Sequence, residues 1–232
     1  MIIGSGLLAR AFSDTFLARE DVCIYAAGVS NSGCTNPIEF MRERQRLADT
    51  LQQTMGVDAF VYFGTCSVAD PDAQNMPYVQ HKLAMEQMVV AHPRSLILRL
   101  PQVAGKTPNP HTLLNFLYAR ISRSETFDLW SKAKRNIIDV VDVALITQQI
   151  VANNSIRNRT FNIANVVSYS MADIVSTMES VVGKSALYNL VARGSEYPID
   201  ISAIIPILEN TDVDFGHDYL DKVIGKYYEG PA

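Results

Sequence analysis

Met1-Ile2-Ile3 is a very short apolar run that breaks into Gly4-Ser5-Gly6-Leu7-Leu8-Ala9, after which Ala11, Phe12, Phe16 and Leu17 recur at helical spacing. A strand that turns on glycines straight into a helix commits the chain to parallel pairing, because the helix carries the backbone back across the sheet before the next strand begins. The pattern repeats. Val22 to Ala27 is a second apolar run, Gly28 to Asn36 is rich in turn residues, and Pro37 starts an amphipathic stretch with Ile38, Met41, Leu47, Leu51 and Met55 on its apolar face. Ala59 to Phe63 reads as a buried strand, Tyr78 to Ala91 as a helix, and Ser95 to Leu100 as a strand stopped by Pro101. The expected fold class is α/β: a Rossmann-like, doubly wound parallel sheet in three layers.

Beyond Pro101 the texture changes. Loops carry Pro108 and Pro110, and helices are expected over 112–122, 141–152 and 170–182, the last ending at Gly183 in the usual left-handed cap position. Short strands are expected over 136–140 and 161–164. The chain therefore divides into a Rossmann-like core over 1–105 and a small mixed lobe over 106–232, with segments returning to the sheet and a cleft between the two. A hydrophobic share of 48% is enough for a sizeable core.

Composition also excludes several classes. The formal net charge is −4 and no basic block occurs, so nucleic acid is not an expected partner. The three cysteines, Cys23, Cys34 and Cys66, are odd in number and form no CxxC, which excludes a disulfide scaffold and a zinc site and fits a reducing cytoplasm. Cys66 reads as a small buried filler, and the scattered His81, His92, His111 and His217 read as surface residues, so no metal site is expected. The N-terminus has no charged lead or long apolar stretch, and no run approaches about 18 apolar residues, so no membrane association is expected. Trp130 is expected to pack the small lobe.

The arrangement Gly4-x-Gly6-x-x-Ala9, after a strand and opening a helix, lets the backbone N–H groups at Gly4, Gly6, Leu7 and Leu8 approach a pyrophosphate. Small residues at such a turn also serve packing. The dinucleotide fingerprint further asks for an acidic residue about 20 positions on to hold the adenosine ribose. None stands there: residues 24 to 30 read Ile-Tyr-Ala-Ala-Gly-Val-Ser.

Tyr78 and Lys82 stand at i and i+4 on one helix face, a pairing that ten tyrosines and seven lysines make an ordinary coincidence. Their context is less ordinary, since they follow a buried strand that ends in a hydroxyl at Thr65, or at Ser67 if the register shifts by two. The chemistry is coherent. A phenol titrates near 10, so its use as a base near neutrality needs a shift of about 3 units, or about 4 kcal/mol. A cation at about 5 Å in an effective dielectric near 20 contributes about 3 kcal/mol, so Lys82 and an oxidised nicotinamide together are of sufficient size. Thr65 would then hold the substrate oxygen while Tyr78 exchanges its proton.

Together these segments resemble the short-chain dehydrogenase/reductase superfamily, in its NAD-dependent epimerase/dehydratase branch of nucleotide-sugar enzymes. Val22-Cys23-Ile24-Tyr25-Ala26-Ala27 is similar to the family strand that ends in a double alanine beside the cofactor. Val61 to Val68 is similar to its catalytic strand, and aligning Val68 selects Thr65 over Ser67. Tyr78 and Lys82 match its YxxxK pair. Leu98 to Gly105 resembles the segment whose proline, here Pro101, lies against the nicotinamide. Arg135-Asn136-Ile137-Ile138-Asp139-Val140-Val141-Asp142 resembles the stretch whose arginine meets the substrate diphosphate, a task suited to a permanently charged, fork-shaped guanidinium. Pro198 to Ser202 resembles the closing segment, with Asp200 as a structural anchor.

The resemblance implies an NAD- or NADP-dependent epimerase or keto-sugar reductase acting on a nucleotide-diphosphate sugar, in surface-polysaccharide or deoxysugar synthesis. Thr65, Tyr78 and Lys82 are the implied catalytic trio. Gly4, Gly6, Leu7, Leu8, Ala26, Ala27, Lys82 and Pro101 are implied at the cofactor, Thr65, Ser67 and Arg135 at the substrate, and 106–232 becomes the substrate lobe. Helices 37–55 and 78–91 are expected either to build a homodimer interface or to be buried in the core. One departure is large: about twenty residues separate the glycine turn from the double-alanine strand, where the family inserts two more strands and a helix carrying its adenosine contacts. This shortening also allows a non-catalytic, Rossmann-like binding or regulatory protein.

Overall fold

The computed structural model describes residues 1–153 and 155–229, so Asn154 and the last three residues of the expected small lobe lie outside the described residues. The first half runs β1 (Ile2–Ile3), α1 (Leu7–Ala11), α2 (Ser13–Phe16), β2 (Val22–Tyr25), α3 (Pro37–Gln53), β3 (Ala59–Thr65), a 3-10 turn over Cys66–Ala69, α4 (Pro77–Val90) and β4 (Ser95–Leu100). The second half runs β5 (Gln102–Ala104), α5 (Leu113–Ser122), β6 (Phe127–Trp130), β7 (Lys134–Asp139), α6 (Val140–Ala152), β8 (Arg159–Asn162), β9 (Ser168–Ser170), α7 (Met171–Val182), β10 (Tyr188–Val191), α8 (Ile205–Leu208) and α9 (Tyr219–Tyr228).

The main sheet has the order β1-β2-β3-β4-β8 and is parallel throughout. Its three layers follow from the period of two in β3, whose seven residues are all buried. Val61 and Phe63 pack with Phe12, Phe16, Ile146 and Ile150 on one face, whereas Phe60 and Tyr62 pack with Leu47, Met85 and Val89 on the other. β1 and β8 are the two edge strands.

A smaller sheet, β5-β7-β9, and the parallel pair β6-β10 form the second lobe around Leu117, Phe127, Ile137, Ile174 and Ile224. The chain then returns. β8 supplies the fifth strand of the main sheet, and Ile204 is fully buried in the main core. Asp139 ties α9 to this junction: its carboxylate accepts from Lys226 Nζ at 2.6 Å, from the Tyr227 hydroxyl at 2.6 Å, and from Val141 N at the start of α6. Ser170 and Asp173 form a reciprocal capping box on α7, which ends at Gly183 in the left-handed conformation. Among the described residues no helix is long and apolar enough to cross a membrane.

Several expectations need correction. The apolar face expected over 37–55 is right at Leu47, which is buried, and at Leu51, which packs against the core, but Ile38, Met41 and Met55 are exposed, while Glu43 and Thr50 point inward. His81 and His92 are buried, not on the surface, because each ring nitrogen has a core partner, Glu43 for His81 and the Thr54 carbonyl for His92. Trp130 is 42% exposed and lines a groove. The strands β5, β6, β9 and β10 and the helix α8, each of four residues or fewer, were not foreseen, nor was α9, although Tyr219, Leu220, Val223 and Ile224 recur on its buried face.

Candidate active site

The glycine turn is shaped by close approach. Gly4 has φ of 123°, and a Cβ there would lie 2.4 Å from the Ala26 carbonyl oxygen, so only glycine lets β1 end against the double alanine. At Gly6 an added Cβ would meet nothing within 4 Å, and α1 begins there without a side-chain cap. The first N–H groups of α1 have no partner inside the helix.

A cavity of ≈ 410 Å³ lies at the C-terminal edge of the sheet. The glycine turn with Gly4, Gly6, Leu7 and Leu8 forms one wall, and Ala26 and Ala27 after β2 form the next. Thr65 and Ser67 at the end of β3, Tyr78 and Lys82 from α4, Pro101 after β4 and Arg135 from β7 complete it. Thus the fold brings all twelve residues singled out in the sequence to one cavity. It opens into an outer groove of ≈ 590 Å³ that shares Ser5, Gly6, Gly28 and Arg46 with it.

α4 explains why the chemistry was hard to read from periodicity. Its inward face carries Tyr78, His81, Lys82 and Glu86 among Val79, Met85 and Val89, so polar and apolar residues share the buried side. Each polar group has a partner. Glu86 makes a bidentate pair with Arg99, and Gly64 is needed beside it because a Cβ there would lie 2.3 Å from a Glu86 carboxylate oxygen. The Thr65 hydroxyl accepts from Ser67 N at 3.1 Å and acts to lower the Tyr78 pKa. Cys66 is buried beside this site, its thiol pushed up to about 12 by burial.

Lys82 is held by a carboxylate absent from the sequence reading. Glu43, 3% exposed on α3, accepts from Lys82 Nζ at 3.1 Å and from the Tyr62 hydroxyl at 2.9 Å on Oε1. Its Oε2 accepts from Val29 N at 2.7 Å and lies 2.9 Å from His81 Nε2. Burial alone would raise the Glu43 carboxyl, but the His81 hydrogen bond, the Lys82 charge and the Val29 N–H hold it at about 2. Gly28 leaves room for the pair: a Cβ there would lie 2.5 Å from Lys82 Nζ and 2.8 Å from Glu43 Oε1.

This changes the electrostatics expected at Tyr78. Lys82 Nζ lies 5.9 Å from the centre of the Tyr78 ring, but its charge is compensated by Glu43. Burial first, and then the negative charge of Glu43, push the Tyr78 phenol above its ordinary value, with the Thr65 hydroxyl acting the other way. The protein by itself therefore keeps Tyr78 protonated, whereas the sequence reading had Lys82 lowering its pKa.

Arg135 stands between two spaces. It lines the main cavity and also an apolar groove of ≈ 560 Å³ formed with Phe116, Phe127, Trp130 and Met171. Its guanidinium donates to the carbonyls of Lys134 and Ser195 and has no carboxylate partner among the described residues. The segment after β10 crosses above: Ser195 donates to Asp70 at 2.6 Å, and Tyr197 hydrogen-bonds Ser67. Asp200 is exposed and its carboxylate accepts from Ser202 N, closing a turn.

Glu43 on the outer groove, and Tyr62, Arg46 and Tyr197 on the cavity, are among the residues that sequence reasoning missed. One signal was available for Glu43: it stands four positions before Leu47, in the buried stripe of α3.

A parallel sheet with a glycine turn on its first strand, and a Thr/Tyr/Lys cluster at its C-terminal edge, defines a Rossmann-type protein of the short-chain dehydrogenase/reductase kind. The chain belongs to the NAD dependent epimerase/dehydratase family, whose sequence model matches residues 4–164. No curated protein matches it by sequence. Among solved structures it is similar to UDP-glucose 4-epimerase from Thermus thermophilus, in complex with NAD, at 15% identity and a TM-score of 0.72, over 97% of this chain and 82% of that one. It is likewise similar to UDP-glucuronic acid 4-epimerase from Bacillus cereus, in complex with UDP-glucuronic acid and NAD, at 20% identity and a TM-score of 0.72, over 96% and 77%. UDP-N-acetylglucosamine 4-epimerase from Bacillus cereus is similar at 17% identity and a TM-score of 0.71, over 96% and 93%.

Proposed function

We propose that this chain is an NAD(P)-dependent enzyme that reduces a keto group on the sugar of a nucleoside-diphosphate sugar. The observation that carries the reading is the joint placement of Thr65, Tyr78, Arg135 and the glycine turn on one cavity. A dinucleotide fits this cavity on its pyrophosphate side, because the first N–H groups of α1 are uncapped and Gly6 opens onto free space. Bound nicotinamide supplies the hydride.

The residues divide the remaining work. Tyr78, kept protonated by its burial and by Glu43, gives its proton to the carbonyl oxygen as that oxygen gains charge, and is reprotonated from solvent. Thr65 orients the same oxygen by hydrogen bonding, and Lys82, fixed by Glu43, would hold the cofactor ribose. Arg135 takes the diphosphate, and the groove of Phe116, Phe127 and Trp130 takes the base. The similar epimerases bound to NAD or UDP-sugar support this assignment of ligand class. Cytoplasmic work in surface-polysaccharide or deoxysugar synthesis fits such a substrate.

A reduction begins with Tyr78 as the acid, the form in which the protein holds it, and consumes the cofactor, whereas an epimerisation returns it. Absorbance at the reduced nicotinamide band, with NADH or NADPH and 4-keto nucleotide sugars, tests this. Turnover stoichiometric with cofactor consumption is expected in the wild type, and Tyr78→Phe is expected to lower it by at least about a hundredfold. Full turnover in Tyr78→Phe would remove the role assigned to that residue. A second reading, a non-catalytic nucleotide-sugar-binding protein, is favoured by the compensation of Lys82 by Glu43; sugar-nucleotide binding with no dinucleotide binding in calorimetry would establish it instead.

A further inference from the structure

Among the described residues the sheet ends at β1, with no neighbouring strand from which a carboxylate could reach the adenosine ribose. The space on that side is the outer groove of ≈ 590 Å³, and its charge is the reverse of the chain's overall −4. Arg10, Arg42 and Arg46 line it, against Glu39 and Glu43. Glu43 is already paired with Lys82, which leaves Glu39, whose carboxylate accepts from the Cys34 thiol. Three guanidiniums therefore share the groove with one carboxylate that has no cationic partner among the described residues.

Their own bonding shows which are available. Arg10 donates to the carbonyls of Ser5 and Lys106, anchoring it beside the glycine turn. The guanidiniums of Arg42 and Arg46 have no hydrogen-bond or ion-pair partner among the described residues, and the charge of Arg46 acts on the Tyr25 phenol. They stand at i and i+4 on α3, hence on one helix face, and both are exposed. Arg46 also lines the inner cavity, so it stands where the two spaces join, with Arg42 farther out.

A ribose diol is recognised by a carboxylate acceptor, whereas a phosphate dianion is recognised by paired guanidiniums. We propose that Arg42 and Arg46 bind the 2′-phosphate of the adenosine ribose, so that this chain takes NADP(H) in preference to NAD(H), using helix α3 in place of the missing adenosine module. The inference rests on the proposed dinucleotide reading, which lays the nicotinamide in the inner cavity and the pyrophosphate at the glycine turn.

Fluorescence titration with NADPH and NADH, and calorimetry with adenosine 2′,5′-bisphosphate and AMP, test it on the wild type and on Arg42→Ala/Arg46→Ala. Because both side chains are exposed, the double variant is expected to keep the wild-type melting temperature. NADPH is expected to bind at least about tenfold more tightly than NADH, and the bisphosphate more tightly than AMP by a similar factor. The double variant is expected to bring NADPH down to the NADH affinity and to leave NADH unchanged. Equal or tighter NADH binding overturns the proposal, as does an equal weakening of both dinucleotides, which would put the arginines on phosphates the two share. If neither dinucleotide binds but the bisphosphate still exceeds AMP in an arginine-dependent way, the phosphate site stands and the dinucleotide reading falls. Binding of none of the four probes overturns both.

Discussion

Glu43→Gln keeps the shape of the side chain and removes its charge, leaving the buried Lys82 ammonium without an anion. The Glu43 carboxyl is held at about 2 against an ordinary 4.5. That difference of about 2.5 units, at about 1.4 kcal/mol per unit, amounts to about 3 kcal/mol of native-state stabilisation. It matches the roughly 3 to 5 kcal/mol lost when one partner of a buried ion pair is removed. Because the folded value is the depressed one, this stability is complete above the unfolded value near 4.5 and is lost as pH falls through the folded value near 2. With a urea dependence of about 3 kcal/mol per molar, the variant's unfolding midpoint at pH 7 should lie about 1 M below that of the wild type. By pH 3 the gap should shrink to roughly half or less. Glu43→Gln/Lys82→Met, which replaces the pair by neutral groups, should recover most of the loss. An unchanged midpoint at pH 7, or a gap that does not narrow on acidification, would refute the reasoning.

Gly4→Ala forces a side chain onto a φ of 123° and into the Ala26 carbonyl; a loss of about 2 kcal/mol or more is expected, read as a fall of about 5 °C or more in melting temperature. Asp139→Ala removes the acceptor of Lys226, Tyr227 and Val141 N, for an expected loss of about 2 kcal/mol. Faster hydrogen exchange along α9, more than elsewhere, would mark the site of the damage. Arg135→Ala should weaken UDP binding by roughly tenfold to a hundredfold in calorimetry while leaving the urea midpoint near the wild-type value, since Arg135 bonds only to backbone carbonyls among the described residues.

The strands and helices of the first half were legible because their patterns are local. β3 opens on the apolar run 59–63 and β4 contains the apolar run 96–98, and prolines stand where α3 and α4 begin. The short strands of the second lobe were less legible: β5 has three residues and β9 three, too few for a period of two to declare itself. The face of α3 was misread in part because Met41 and Met55, exposed in the fold, look like core residues, whereas an inward position belongs to a glutamate.

Glycines that permit close backbone approach, hydroxyls at strand ends and a Tyr/Lys spacing are properties of short stretches, and so eight of the residues lining the inner cavity could be named from them, with Ala26, Ala27, Pro101 and Arg135 added by the family resemblance. Charge compensation is not a property of a stretch. Glu43 meets Lys82 from 39 positions away, and only the packing of α3 on α4 brings the carboxylate and ammonium together. The protonation state of Tyr78 depends on that meeting, because in a buried site the energy of a charge is set by the nearest opposite charge and by the water excluded around it, wherever in the chain those neighbours come from.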